Sequence, residues 1–339
     1  MEQPTQNEWD DLYQAAIRFK EMAPWQWMAD MDLFGVENPD GGEVGWCSIL
    51  GNERQEFGLL VFLGAEGFQM YNRIAMGEAE ATSLELWARV PLLSMTFNSR
   101  DDLERRDLEM IRALGLRFRG RAAWPLFRSQ RPGYVPWYLD KAEVTYLSAV
   151  VQQTLSVAGR VREERLDLFE EADNGMLFTR YCRTCQWLDG WRKPKIPSRA
   201  ANTPVPLDEA RLSGLRKAAK ELRGKWELDI FLLPTAVQEG SDRPYYPTCV
   251  MAVETQTGLI VGADVAGVVP SPEVLQDAVI RVLGQGKQLP HDLRVMSEEV
   301  LQVVEPVAQA LGMSVRVARM AKLERARRDL VEHFLGHGC

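Results

Sequence analysis

Histidine is nearly missing from this chain. Three occur in 339 residues, His291, His333 and His337, all toward the C-terminal end. A Ser-His-Asp or Cys-His hydrolase would have to draw on these, and no serine stands in a nucleophile-elbow context, so His-based catalysis is not expected. Cysteine is sparse too: five thiols, an odd number, do not form a disulfide framework. No run approaches about 18 apolar residues, which excludes a membrane-spanning helix. The start, MEQPTQNEWDDLYQAA, is polar and acidic and lacks the apolar stretch of a secretory signal. The expected location is therefore the cytoplasm, with no membrane partner. No Gly-x-Gly-x-x-Gly follows a strand pattern, no Walker A lysine loop is present, and there is no internal repeat. Positive charge is in deficit, with 40 Lys and Arg against 48 Asp and Glu, a net −8 and a pI near 5.2. Such a chain repels nucleic acid at long range, so a nucleic-acid role needs a local basic face.

What is present is globular. The chain is 46% hydrophobic and 26% charged and is long enough for two domains. The stretch KPKIPSRAANTPVPLDEA, Lys193 to Ala210, is rich in proline and has little periodicity, which is linker composition. It divides an α+β domain, 1–192, from a second domain, 211–339.

In the first domain, Trp9, Leu12, Tyr13 and Ala16 take helical spacing. The stretch around NPDGG reads as a hairpin turn. EFGLLVFLG and VPLLSMTFN read as strands. SRDDLERRDLEMIRALG carries helix start and stop signals at Ser99 and Gly115. Strand-like stretches follow near Phe118 and Tyr134, then a helix from about Lys141 to Val157. GMLFTRYCRTCQWL closes the domain as a strand pair or a strand and hairpin. The second domain reads as a helix over 207–222, the strand WELDIFLLP, a hairpin from YYPTCVMAVE to LIVGADVAG, and two helix–strand units. The first helix is capped by Ser271 with Pro272 at its first position. The second is bent at Pro306, and a closing helix ends the chain. The order is β-β-β-α-β-α-β-α.

That order, with Trp226 three residues before Asp229 and the hairpin VETQTGLIVG, resembles the ribonuclease-H-like fold of integrase and transposase catalytic cores, over about Lys225 to Leu335. The whole chain, with FKEMAPWQWM early and RPYYP late, also looks like a bacterial two-domain family of unknown function. The integrase resemblance implies three carboxylates holding two Mg or Mn ions. Asp229 matches the first-strand position. At the fourth strand RVMSEE offers Met296 and Ser297, with Glu298 one step late. The last helix offers Glu324. Two hard cations about 3.5–4 Å apart would clamp the attacking and leaving oxygens. Each residue also has a plainer reading. Asp229 faces solvent on a half-buried strand; Glu298 and Glu299 favour a helix N-terminus; and Glu324 pairs with Arg327 or Arg328 on a helix surface. The expected function is binding or scaffolding by a degenerate domain, with no catalysis and no cofactor. The alternative is a divalent-metal-dependent nuclease or phosphoryl-transfer enzyme using Asp229, Glu298 and Glu324.

Two other constellations stand out. LRFRGRAAWPLFRSQR places Arg117, Arg119, Arg121, Arg128 and Arg131 among Phe118, Trp124 and Phe127. That interleaving suits phosphate contact with base stacking, and equally the solvated face of an edge strand. The partner expected is a nucleic acid or an unidentified protein. Cys182 and Cys185 form a Cys-x-x-Cys. A zinc site there would need His333, His337 or Cys339, and strand alternation sets the two thiols on opposite faces unless a turn intervenes.

Overall fold

The computed structural model describes residues 2–77, 84–197, 207, 209–218, 222–240 and 242–336. The chain forms two compact units, Met1–Pro132 with Pro136–Ser198, and Gly133–Val135 with Arg199–Cys339. Among the described residues no helix is long and apolar enough to cross a membrane.

The first unit opens with α1 (Gln6–Met22), started by a reciprocal Thr5–Glu8 capping box. Strands β1 (Phe34–Glu37), β2 (Val44–Leu50) and β3 (Gly58–Leu63) follow, then α2 (Gly64–Ala75), α3 (Leu84–Trp87), β4 (Leu92–Asn98) and α4 (Arg105–Ala113). The unit closes with β5 (Trp124–Gln130), α5 (Lys141–Arg162), β6 (Leu177–Arg183) and β7 (Gln186–Arg192). The strands form one sheet in the order β5-β4-β3-β2-β1-β6-β7, antiparallel except where β1 meets β6. One face is covered by α1 and α5: Leu12, Tyr13, Phe19, Leu147 and Val151 pack on Phe34, Ile49, Val61 and Met95. The other face buries Trp46, Phe62 and Leu92 beneath Phe68, Tyr71 and Ile74 of α2.

The structure differs from three expectations here. The helix read from Ser99 starts later: Ser99 caps a short 3-10 turn, Leu103 is extended, and α4 begins after Glu104. No strand forms at Phe118. Residues 116–119 have no regular structure, and Leu116 and Phe118 pack against the core while Arg117 and Arg119 are exposed. Tyr134 makes only an isolated bridge, to Tyr245.

The second unit contains α6 (Glu209–Ala218), β8 (Lys225–Leu232), β9 (Thr248–Glu254), β10 (Ile260–Ala266), α7 (Pro272–Gln285), β11 (Asp292–Val295), α8 (Glu298–Ala310), β12 (Ser314–Val317) and α9 (Ala321–Gly336). Its sheet runs β10-β9-β8-β11-β12; β9 is antiparallel to both neighbours, and β8, β11 and β12 are parallel. Both sheets of the molecule are thus mixed. Strand alternation sends Trp226, Leu228, Leu293 and Val295 toward α7 and α8. It sends Phe231, Cys249, Met251 and Val253 toward Met320 and Leu323 at the start of α9. Residues 133–135 add to this unit by backbone pairing: Val135 N donates to Pro244 O at 3.0 Å and Tyr246 N to Gly133 O at 2.8 Å. The RPYYP stretch is what receives them. Gly133, at φ +79°, is needed there because a Cβ would stand 2.7 Å from Val269 Cγ2.

Candidate functional site

Asp229 lies on the α9 face of β8, two residues after Glu227. Both carboxylates are 3% exposed. Burial of two acids on one strand is costly unless each is compensated. Glu227 Oε2 accepts a 2.7 Å hydrogen bond from Leu323 N, in the first turn of α9, where the helix carries partial positive charge. One turn later Arg327 Nη1 stands 3.6 Å from Asp229 Oδ2. Its guanidinium carbon lies 4.6 Å from the Phe231 ring centroid, a second attraction for the same cation. Two residues of strand rise roughly 6.6 Å and four of helix 6 Å, so one helix turn and one strand repeat keep both contacts in step. Asp229 therefore does not face solvent, which corrects the plainer reading of it. Alternation hid this, because the face opposite Leu228 and Ile230 is covered by α9.

The β11–β8 register, with Val295 opposite Leu228, carries the chain on to Met296, which packs against the Phe231, Cys249 and Met251 cluster. Glu298 is exposed in the first turn of α8, behind an N-cap in which Ser297 accepts from Val300 N. Glu324 lies in the first turn of α9, three residues before Arg327. Among the described residues no three His, Cys, Asp or Glu side chains are grouped as a metal ion would require. The residues present do not fit a Mg or Mn pair. The one buried carboxylate in the expected place faces a guanidinium, and its neighbour from the adjoining strand is a thioether.

The five arginines of 117–131 divide. Arg128 holds Asp107 with two hydrogen bonds, at 2.9 and 2.7 Å, and its guanidinium carbon lies 4.8 Å from the Tyr138 ring centroid. Arg131 pairs with Asp140 and Glu143, each at 2.8 Å. Both side chains thus fasten β5 and the chain after it to α4 and α5, and neither presents a bare cation. Arg117, Arg119 and Arg121 are exposed. The segment that holds them is a loop, not the edge strand their alternation suggested, anchored by Phe118 against Tyr13 at 6.4 Å between ring centroids.

The Cys-x-x-Cys sits on the β6–β7 hairpin. A two-residue turn does intervene: Arg183 pairs with Gln186, and Thr184 and Cys185 between them take φ +48° and +62°. Both are left-handed, as a type I′ turn requires, without the glycine or asparagine that normally supplies it. Cys182 is half-buried and Cys185 exposed. His337, Cys339 and the side chain of His333 lie outside the described residues.

The same hairpin carries a cluster that no local pattern in the sequence marks as a unit. Glu37, at the end of β1, is buried and accepts from both Arg183 and Arg192. Burial pushes its carboxyl up, and the two guanidiniums more than offset this, leaving it below its ordinary range. The same guanidiniums lie 5.1 and 4.8 Å from the Tyr181 ring centroid. Gly190 makes room for that ring, since a Cβ there would stand 2.8 Å from Tyr181 Cε1. The signal was available in LFTRYCRTCQWLDGWRKPK, residues 177–195, where five cations interleave with four aromatics against one acid. The part played by Glu37, 146 residues before Arg183, was not.

Comparison with known families divides the chain in two and adds no chemistry. A model described as a domain of unknown function (DUF7309) matches residues 9–180. Another, also a domain of unknown function (DUF6930), matches residues 211–331. No curated protein matches. The crystal structure of the catalytic core domain of BIV integrase (crystal form I) is similar at 18% identity, over 33% of this chain and 70% of that one, with a TM-score of 0.23. A likeness of that size carries no argument about activity.

Proposed function

We propose, for a chain that belongs to the family described as a domain of unknown function (DUF7309), that it is a non-catalytic binding or scaffold protein whose second unit is a degenerate ribonuclease-H-like domain. Supporting the fold is the strand order β10-β9-β8-β11-β12, third-second-first-fourth-fifth within the unit, with its second strand antiparallel and helices between the later ones. The observation that carries the absence of catalysis is the Asp229–Arg327 pair. A carboxylate engaged by a guanidinium inside an apolar cluster is neither a free base nor a ready ligand for a hard cation. The compartment assigned with this reading is the reducing cytoplasm, in keeping with unbonded Cys47, Cys182, Cys185 and Cys249.

The test is direct. Wild type and Asp229→Ala are incubated with single- and double-stranded DNA and RNA, with magnesium or manganese. Neither protein is expected to cut any substrate. Metal-dependent cleavage by wild type that disappears in Asp229→Ala would overturn this reading in favour of a nuclease using Asp229, Glu298 and Glu324.

A further inference from the structure

We infer that the outer face of the β6–β7 hairpin binds single-stranded nucleic acid. The inference rests on the reading of the chain as a binding protein, and it assigns that protein a partner and a surface. On the face away from α5, the hairpin presents Tyr181, Arg183, Leu188 and Arg192, with Leu188 41% exposed. The strand then runs on into exposed Lys193 and Lys195.

Charge selects the partner. Residues 177–195 hold five cations and one acid in a chain whose net charge is −8. The acid, Asp189, is spent on the opposite face, where Arg160 and Arg180 bind it. On the outer face Glu37 neutralises one of its two arginines. It also holds both guanidiniums beside the Tyr181 ring, where without a carboxylate they would repel one another. The result is a fixed tier of planar groups, one aromatic and two guanidinium, with a net positive charge, next to exposed Lys193 and Lys195. Unpaired bases stack on aromatic rings and guanidinium planes, and phosphates take the remaining donors. A duplex, with its bases already stacked, offers only its phosphates to such a surface. An acidic peptide could use the charge but has no use for the tier. Glu37 is a positioning residue; Tyr181, Arg183, Arg192, Lys193 and Lys195 make the contacts.

The experiment is fluorescence anisotropy of labelled single-stranded DNA and RNA oligonucleotides with the full chain, in EDTA, over a salt series. Competitors are the matching duplex and polyglutamate. Wild type is expected to bind the single strands in preference to both competitors, with a salt slope of up to about −3 for four phosphate contacts. Tyr181→Ala should weaken binding roughly 5- to 150-fold, the range for loss of one stacking partner. Lys193→Glu with Lys195→Glu, both exposed and remote from the fold's interior, should weaken it and about halve the slope, which keeps the test sound if Tyr181→Ala unfolds the hairpin. Arg117→Glu with Arg119→Glu and Arg121→Glu should leave binding within about 3-fold of wild type. The proposal fails if wild type binds no single strand, if the lysine variant binds as wild type does, or if polyglutamate competes as well as the oligonucleotides. Oligonucleotide cut in a parallel manganese arm would instead count against the non-catalytic reading, leaving the anisotropy result to stand by itself.

Discussion

Replacing Arg327 by leucine should loosen α9 by about 2–3 kcal/mol, and replacing Asp229 as well should restore it. At 3.6 Å and an effective dielectric near 20, the pair attracts by about 4–5 kcal/mol. The Arg327 side chain is 28% exposed and that of Asp229 5%, so water screens one partner. The net cost of removing it then falls below the about 3–5 kcal/mol typical of a fully buried pair. Leucine keeps an apolar side chain beside Phe231 and removes the charge. Asp229→Leu with Arg327→Leu converts the pair to apolar surface among Phe231, Cys249, Met251 and Leu323, and that change should be neutral to within about 1 kcal/mol. The assay is native-state hydrogen exchange of the α9 and β8 amides, because a two-unit chain does not give a single global transition. Arg327→Leu should speed α9 exchange roughly 30- to 140-fold, and the double variant should return it to near the wild-type rate. Equal acceleration in single and double variants would mean that Arg327 holds α9 by something other than its charge on Asp229, and the compensated carboxylate would be lost as the reason.

Two further outcomes follow from other features. The Thr184–Cys185 turn holds two residues with a Cβ at positive φ, so Thr184→Asn with Cys185→Gly should stabilise the hairpin by about 1–2 kcal/mol; slower exchange in β6 and β7 would show it, and faster exchange would mean the native turn is unstrained. Burial pushes the Cys249 thiol up to about 12, with Asp264 and Asp229 adding to the effect. A raised pKa gives stability that is complete below the thiol's unfolded value near 9 and is lost as pH rises toward 12, by up to about 1.4 kcal/mol per unit. Cys249→Ala should flatten the alkaline limb between pH 9 and 11, and an unchanged limb would place the alkaline sensitivity elsewhere.

The sequence made local periodicity legible and left distant compensation hidden. The hairpin at NPDGG, the strand containing Asp229 and the helix after Ser271 follow from alternation, turn residues and caps within a dozen positions, whereas the turn between Arg183 and Gln186 carries no glycine or asparagine to mark it. Residues 116–121 show the limit of that logic. Leu116 and Phe118 alternate with arginines just as an edge strand would, yet no neighbouring strand reaches them, and pairing is not a property of the segment itself. Asp229 shows a second limit. Its hydrophobic flanks marked a strand but could not reveal that its other face lies under α9, or that Arg327, nearly a hundred positions away, would supply the opposing charge. Arg128 and Arg131 read as available cations for the same reason: Asp107 and Glu143 meet them only after folding.

Gly133–Val135 imposes an order on biosynthesis. These residues leave the ribosome well before their partners, since 108 positions separate Val135 from Arg243, whose Nε donates to its carbonyl. At about 5–20 residues per second the segment waits roughly 5–20 s for that partner, while β5 before it and α5 after it are free to form. The second unit thus takes a piece of its structure from chain already made, and a fragment starting at the linker would emerge without it.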